Sequence, residues 1–361
     1  MKGSIVSRGK DVWLIRYYPP GSRKQKSSTF RGSYEDAELE LARLLREVRN
    51  GLPTEPEKVT VAELLDKWLE VKKGKVKDTT WYKYQMYVGM WKKTFIADSL
   101  LHKLNPLDIE IALSRFNLSP KTISILCVIL KTAFKKAVQW KLIPYNPMDA
   151  VEPPRIRHKE IQIWSEDEAL KFLEVSRGSK YHVLFYLALK TGLRLGELLA
   201  LEWRNVDLDK GEIYVMQTMV ELPTGRCVQS PKTRRSIRRV PLDNKTLVLL
   251  KQHKKKCMET AVKLGIGKVK WVFWREQTQQ PPTASAIQIA FHKLIKKAGV
   301  PDIKFHSLRH THATFLLRQG IHMKIVADRL GHETVRMTDL YSHILPDSQQ
   351  EAVKAMERMD I

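Results

Sequence analysis

Residues able to do chemistry cluster near the C-terminal end of this sequence, between positions 306 and 341. His306, Arg309 and His310 stand at i, i+3 and i+4, a spacing that places them on one face of a helix. His332 and Tyr341 follow further along. An arginine meets two phosphate oxygens with its planar fork of donors. A tyrosine hydroxyl, with an ordinary pKa of about 10, is a weak nucleophile unless its developing charge is stabilised. Imidazoles, a guanidinium and a phenol together indicate chemistry on a phosphodiester rather than on an acyl group.

Three short motifs in this stretch carry a resemblance to a known family. They are H-x-x-R at 306–309, L-G-H at 330–332, and Tyr341 nine residues after the last histidine. A fourth motif, T-G-x-R-x-x-E at 191–197, contains Arg194, and Lys232 lies in the basic turn SPKTRRS. In these motifs and their order the chain resembles the tyrosine recombinase (phage integrase) family. One position departs from the family pattern, because Ser307 stands where the family often has an acidic residue.

The resemblance implies a site-specific DNA recombinase with six catalytic residues: Arg194, Lys232, His306, Arg309, His332 and Tyr341. The two arginines would neutralise the scissile phosphate and the two histidines would hydrogen-bond its oxygens. Tyr341 would attack to form a covalent 3′-phosphotyrosine link, and Lys232 would protonate the departing 5′-oxygen. Because the covalent link keeps the bond energy, no ATP is implied, and neither a cofactor nor a metal is implied.

Two other interpretations of the same residues stay open at this point. His306 and His310 have the i, i+4 spacing of a zinc helix, but the glutamate of the H-E-x-x-H pattern is missing and no third ligand suggests itself. The segment 326–341 also fits a helix-turn-helix with Gly331 in the turn. That second interpretation leaves His306, Arg309 and Tyr341 unexplained.

Composition narrows the class of protein independently of the motifs. The 361 residues include 63 Lys and Arg against 39 Asp and Glu, a net charge of +24, which favours a polyanion such as nucleic acid as the partner. No apolar run approaches the roughly 18 residues of a membrane span, and the N-terminus lacks the apolar core of a signal peptide. Cys127, Cys227 and Cys257 are scattered and odd in number, as expected of reduced thiols. We therefore expect a cytosolic protein, and the resemblance to integrases implies the bacterial cytoplasm and a location on DNA.

The pattern of the whole chain predicts a mainly α fold with small β-sheets, divided into three domains. Residues 1–56 are expected to form a three-stranded sheet with one helix, similar to the arm-type DNA-binding domain of many integrases. Their candidate DNA contacts are Arg8, Lys10, Arg16, Arg23, Lys24 and Lys26. Residues 57–152 are expected to form a helical core-binding (SAM-like) domain. A proline-bearing basic linker then leads to a mixed α+β catalytic domain at 160–361.

Local signals predict where several elements begin. Thr60, Asp78, Asn105 and Ser119 are expected to cap helices of the core-binding domain, and Ser165 with Glu168 predicts a capping box in the catalytic domain. The longest helix should bury a stripe formed by Ile125, Val128, Ile129, Ala133 and Ala137. The segments 212–218 and 236–242 are predicted to be strands, and 269–277 is predicted to be buried. Ser33 with Asp36 is predicted to start the helix of the first module, and Gly331 is predicted to end a short helix at Leu330. A last helix is expected from about Asp347 to Met359.

The resemblance also implies partners and leaves rival functions open. The expected partner is double-stranded DNA with core-type and arm-type attachment sites, bound by a tetrameric synapse. An excision factor or a DNA-bending protein is compatible with this, and no membrane partner is expected. The rivals are a chromosome-dimer-resolving recombinase, a topoisomerase that also uses a 3′-phosphotyrosine, and a recombinase-derived protein that binds DNA without cutting it. The module at 1–56 favours the integrase of a phage or integrative element.

Overall fold

The computed structural model describes residues 3–18, 24–49, 58–156, 161–231 and 234–332. The chain divides into two compact units, Met1–His158 and Lys159–Ile361. Helices dominate both units, and the three sheets are small and antiparallel. The predicted fold class, mainly α with small sheets, is confirmed. Among the described residues no helix is long and apolar enough to cross a membrane.

A three-stranded sheet and one helix begin the first unit. The elements are β1 (Ser4–Gly9), β2 (Val12–Tyr17), β3 (Lys26–Arg31) and α1 (Tyr34–Arg49). Ser33 starts the helix as predicted, because its hydroxyl accepts a hydrogen bond from the Asp36 N–H at 3.1 Å. Ile15 and Tyr17 of β2 pack with Leu44 and Val48 of α1 in a small core of their own.

The second part of the first unit is helical. Its helices are α2 (Val61–Lys72), α3 (Asp78–Trp91), α4 (Pro106–Ser114) and α5 (Pro120–Gln139). Side chains of Thr60, Asn105 and Ser119 cap α2, α4 and α5 as predicted. The prediction for Asp78 was wrong, since Asp78 is the first residue of α3 and not its cap. An acidic residue there still interacts favourably with the positive end of the helix dipole.

The buried side of α5 differs from the predicted stripe. Ile129, Ala133 and Ala137 are buried, but Val128 is 58% exposed. The buried positions are Leu126, Cys127, Ile129, Leu130, Ala133, Phe134 and Ala137. They pack with residues of α2 and α3 that include Trp68 and Trp91. Because several i, i+3, i+4 stripes can be drawn on an apolar helix, the neighbouring helices decide which one is buried.

The described part of the second unit combines helices with two small sheets. Its helices are α6 (Glu166–Ser176), α7 (His182–Thr191), α8 (Leu195–Leu199), α9 (Asn244–Lys263), α10 (Ala284–Ala298), α11 (Ser307–Arg318) and α12 (Met323–Leu330). Its strands are β4 (Val206–Asp207), β5 (Glu212–Val215), β6 (Thr218–Leu222), β7 (Gly225–Gln229) and β8 (Arg238–Pro241). The core centres on the aromatic rings of Trp164, Phe172, Phe185, Phe291 and Phe305.

The strand predictions for this unit were incomplete. The segments 212–218 and 236–242 do contain β5 and β8, which pair through Ile213 and Val240. Between them the structure has a further two-stranded hairpin, β6–β7, that the sequence did not predict. The Ser165–Glu168 capping box is confirmed. The prediction that 269–277 is buried holds for Val269 and for Trp271 to Phe273, whereas Lys270, Glu276 and Gln277 are exposed.

Candidate active site

The turn between α7 and α8 forms one side of the candidate site. Gly192 ends α7 in the left-handed region, with φ of +66°. A Cβ atom at this position would lie 2.5 Å from Leu330 Cδ2 and 2.8 Å from the His312 ring. Only glycine combines this backbone conformation with so close an approach. The turn can therefore pack directly against α11 and α12.

Arg194 follows this turn and is held by a buried carboxylate. Its backbone N–H donates to Glu197 Oε2 at 2.9 Å, and its Nη1 donates to Glu197 Oε1 at 2.8 Å. The Arg194 side chain keeps 34% of its surface exposed, whereas that of Glu197 keeps only 5%. Burial alone would raise the pKa of Glu197, but the hydrogen bond and charge of Arg238, with the charge of Arg194, hold that pKa below its ordinary value. Glu197 is therefore ionised and orients Arg194.

Arg309 projects from α11 into the space between α7 and α12. The residue is 2% exposed. Its Nη1 donates to the Gly192 carbonyl at 2.9 Å and its Nη2 donates to the Leu330 carbonyl at 2.6 Å. Two bonds to different chain segments fix the plane of the guanidinium. The same bonds satisfy carbonyls at two helix ends, where no partner exists within the helix.

Three histidines lie near these two arginines. His306 is the residue just before α11, and its ring lies perpendicular to that of His310 with centroids 4.9 Å apart. This contact places His306 and His310 side by side, and the charge of Arg309 acts on both rings. His332 follows Gly331, which ends α12 with φ of +67°. The predicted end of this short helix at Leu330 is thus confirmed.

All three histidines are kept neutral at pH 7. Burial, then the charges of Arg309 and Arg194, lower the pKa of His306. Burial with the charge of Arg309 among its neighbours lowers the pKa of His310 to about 4 and that of His332 to about 3. The charge of Arg309 acts on all three rings and that of Arg194 acts on His306 and His332, so the groups form one electrostatic unit. An anion placed among them would meet two cations and neutral N–H donors, which is what a phosphate requires.

Two predicted site residues, Lys232 and Tyr341, lie outside the described residues, as do Arg23 and the expected last helix. Of the six predicted catalytic residues, the structure brings together Arg194, His306, Arg309 and His332. Within the described residues, no group of three or more His, Cys, Asp or Glu side chains could hold a metal ion.

Three residues that position the site were not predicted from the sequence. Arg238 of β8 is buried, and its Nη1 and Nη2 donate to the carboxylate oxygens of Glu197 at 3.1 and 2.9 Å. Arg329 donates from Nε to His312 Nε2 at 3.2 Å, while His312 Nδ1 donates to the Leu189 carbonyl at 2.8 Å. One signal could have found Arg238, because it alternates with the buried Val240 on a short strand.

Comparison with known proteins identifies the family. The family model described as "Phage integrase family" matches residues 162–347. The one described as "Phage integrase, N-terminal SAM-like domain" matches residues 60–114. A tyrosine recombinase described as XerC-like, from Caldanaerobacter subterraneus subsp. tengcongensis, is 31% identical over 100% of this chain and 99% of its own length. The ICEBs1 integrase of Bacillus subtilis is 29% identical over 69% of each chain.

Solved structures share the fold. The Tn1549 transposon integrase in complex with a circular intermediate DNA matches with a TM-score of 0.70 and 23% identity, over 83% of this chain and 99% of that one. A lambda integrase dimer bound to a core site matches with a TM-score of 0.60 and 19% identity, over 93% of each chain. At these identities the likeness shows the fold alone. Taken with the family match and the relative that spans the whole chain, the site geometry leads to one conclusion: this chain belongs to the phage integrase family of tyrosine recombinases, enzymes that break and rejoin DNA strands.

Proposed function

We propose that this recombinase is the integrase of a phage or integrative element, and that it cuts DNA through a covalent 3′-phosphotyrosine. The observation that supports this proposal is the cluster of two guanidiniums and two neutral imidazoles in the candidate site. Arg194 and Arg309 neutralise the non-bridging oxygens of the scissile phosphate, and His306 and His332 each donate an N–H to them. Because these groups are fixed before DNA binds, little reorganisation is needed during the reaction.

Two residues supply the bond-making and bond-breaking steps. The hydroxyl oxygen of Tyr341 attacks the phosphorus while its proton passes to solvent, and the bond to the 5′-oxygen breaks as the 3′-phosphotyrosine forms. Lys232 gives a proton to the departing 5′-oxygen. Lysine suits this role because its ammonium can lose a proton when desolvated, whereas a guanidinium does so hardly at all. The 5′-hydroxyl of a partner strand then attacks the phosphotyrosine and releases Tyr341, so strands are exchanged without hydrolysis.

The N-terminal sheet supports an arm-binding role for the first module. Ile15 and Tyr17 face α1, so the alternation of side chains along β2 turns Arg16 to the opposite face of the sheet. On the neighbouring strands Ser4 and Ser27 pair with Arg16, and both are exposed. A row of short side chains beside an arginine suits entry into a DNA groove. Of the other candidate contacts, Arg8, Lys10, Lys24 and Lys26 are exposed.

The assembly is proposed to be a tetramer that holds two DNA duplexes in the bacterial cytoplasm. Support comes from a lambda integrase structure described as a tetramer bound to a Holliday junction. An excision factor or a DNA-bending protein would act as an accessory on the arm-type sites.

A chromosome-dimer-resolving recombinase is the second candidate, because the relative that spans the whole chain is described as XerC-like. Sequencing the DNA junctions that the purified protein makes on its own flanking sequence separates the two. An integrase joins the ends of an element to a second, different site. Recombination confined to one site repeated on two chromosome copies would instead establish the second candidate.

The arm-binding assignment has its own test. A variant that starts near Glu57 should still bind and cleave core-type sites and should lose protection of any distal site. Footprinting the full chain and the shortened chain on attachment-site DNA measures both effects. Loss of core cleavage with an unchanged distal footprint would contradict the proposed domain roles.

A further inference from the structure

Arg238 joins three segments of the second unit through one buried side chain. Its Nη1 and Nη2 donate to the two carboxylate oxygens of Glu197 at 3.1 and 2.9 Å. Its Nε donates to the Arg329 carbonyl at 2.8 Å, and its Nη1 also donates to the Ser236 carbonyl at 3.2 Å. The side chains of Arg238 and Glu197 are each 5% exposed. The side chain therefore links β8 with α8 and with the last turn of α12.

Two of these contacts, those to Glu197 and to the Arg329 carbonyl, are each one step away from a candidate catalytic residue. Glu197 holds Arg194 by a second bidentate arrangement, so Arg238 fixes the carboxylate that aims Arg194. The Arg329 carbonyl lies at the end of α12, directly before the turn that presents His332. Carbonyls at a helix end lack a partner within the helix, and a cation there also interacts well with the helix dipole.

The packing around Arg238 leaves little room for an alternative position. A Cβ atom at Gly331 would lie 3.0 Å from Arg238 Cδ and 3.1 Å from the Arg235 carbonyl. The L-G-H turn thus rests against the stem of the Arg238 side chain. A shift of that side chain would reach His332 through the turn and Arg194 through Glu197.

We propose that Arg238 is a positioning residue for the recombination reaction, which aligns Arg194 and His332 on the same phosphate. This proposal rests on the proposed function, since it assigns Arg238 to the groups that meet the non-bridging oxygens. Its rival is a purely stabilising ion pair. Buried ion pairs are weak evidence for a stabilising role, because apolar replacements of similar volume are often equally stable. A positioning role and a purely stabilising role therefore predict different cleavage rates in variants that keep a Tm close to that of the wild type.

The test compares Arg238→Met, Arg238→Lys and the double variant Arg238→Met with Glu197→Gln. The readouts are the rate of covalent complex formation at saturating protein on a nicked suicide substrate, the DNA affinity, and Tm. Arg238→Met should cleave about 10²-fold more slowly, as expected for misplaced catalytic groups, with DNA affinity close to that of the wild type. Arg238→Lys keeps the positive charge but loses the planar pair of N–H donors. Its cleavage rate should lie between those of Arg238→Met and the wild type. Arg238→Met leaves the buried Glu197 carboxylate with Arg194 as its remaining cation. The double variant also removes that buried charge, so its Tm should return toward the wild-type value while cleavage stays slow.

Glu202→Gln is the matched control. Glu202 is also a buried carboxylate of this unit, but its partners are Gln217, Arg204 and Lys270, none of which is a candidate site residue. This variant should cleave at close to the wild-type rate. A second control is DNA with sulfur in place of the bridging 5′-oxygen, on which Arg238→Met should stay slow because its defect is not in leaving-group protonation.

Several outcomes would overturn the proposal. A double variant that regains both Tm and cleavage would make the pair purely stabilising. Wild-type cleavage by Arg238→Met would do the same. If that variant does not fold, wild-type cleavage by Arg238→Lys, which leaves Glu197 in place, would overturn the proposal instead. If Arg238→Met regained its cleavage rate on the sulfur-containing DNA, Arg238 would act on protonation of the leaving group and not on the non-bridging oxygens. A wild-type protein that forms no covalent complex would instead refute the proposed function, and the role of Arg238 with it.

Discussion

The helical part of the first unit and the second unit bury different kinds of side chain. The core at 58–156 is apolar, built from residues such as Trp68, Trp91 and Phe134. All the buried polar or charged residues in the described part of the chain lie in the second unit, and they include Glu197, Arg238 and Arg309. Both units bury large apolar clusters, so the difference is not a matter of core size. The difference lies in the polar and charged residues that the second unit buries in addition to its apolar core.

Burying charge is costly, and the second unit offsets that cost with hydrogen bonds. An unpaired buried ion is strongly destabilising, whereas a paired and fully bonded one is tolerated. Glu197 meets two guanidiniums, and Arg309 meets two helix-end carbonyls. Such groups add little stability, but they stay fixed where the proposed mechanism requires a phosphate to be neutralised. Apolar packing therefore supplies the stability of both units, while the polar interior of the second unit supplies the preorganised candidate site.

The largest effect expected within the second unit concerns Lys232. General acid catalysis is worth about 10²–10⁴-fold, so Lys232→Ala should slow cleavage within that range with little loss of DNA binding. On DNA with a bridging 5′-sulfur the thiolate leaves without protonation, and the variant should recover most of its rate. Single-turnover cleavage of both substrates measures this, with Arg194→Ala as the control that should not recover. Equal slowness of Lys232→Ala on both would mean that Lys232 only positions DNA.

Arg309→Ala should affect catalysis and stability together. Loss of a preorganised donor to the phosphate costs about 10²–10³-fold in rate. Each carbonyl left without this donor costs about 1–3 kcal/mol in the free energy of unfolding. Cleavage rates at saturating protein and Tm values measure the two losses.

The matched variant in the helical core is Leu130→Ala, at a fully buried position. It should cost about 2–5 kcal/mol in the free energy of unfolding and leave the cleavage rate of the bound complex unchanged. If Leu130→Ala lowered that rate as much as Arg309→Ala does, the division between an apolar core and a polar site would fail.

Acid should destabilise the second unit through its buried histidines. The pKa values of His312 and His332 are lowered to about 3, chiefly by burial. In the unfolded chain both would titrate near 6.5 and bind protons that the native state does not. Their contribution to stability is therefore complete above pH 6.5 and is lost as the pH falls toward 3. Each histidine contributes up to about 1.4 kcal/mol per pH unit in that range.

Scanning calorimetry at pH 7.5 and pH 5.5 measures this effect, with a loss of roughly 2–3 kcal/mol expected for the two histidines together. The helical core has no buried histidine among its described residues, so this source of acid sensitivity should be confined to the second unit. A transition of the second unit that is equally stable or more stable at pH 5.5 would contradict the buried, neutral state of these rings.

The sequence predicted features that depend on residues close together along the chain. The helix starts at Thr60, Asn105 and Ser119 are examples, because a cap needs only a side chain and an N–H two or three residues away. The L-G-H turn was predicted for the same reason, since glycine at a helix end is a local signal.

Features that depend on distant residues were missed. The Arg238–Glu197 pair joins positions 41 apart, and Arg309 reaches the Gly192 carbonyl across 117 positions. Nothing local in the sequence indicates which arginine will find which carboxylate. The β6–β7 hairpin was missed because its strands are only five residues each and are largely half-buried, so they lack a strong alternation.

The most direct test of the catalytic assignment is covalent trapping on a nicked suicide substrate, followed by separation under denaturing conditions. The phenol oxygen adds little to DNA binding compared with the basic surface, where salt-sensitive phosphate contacts dominate. The wild-type protein should give a covalent protein–DNA band. Tyr341→Phe should bind the same DNA with nearly wild-type affinity and give no band. A covalent band that persists in Tyr341→Phe would contradict the assignment of Tyr341 as the nucleophile.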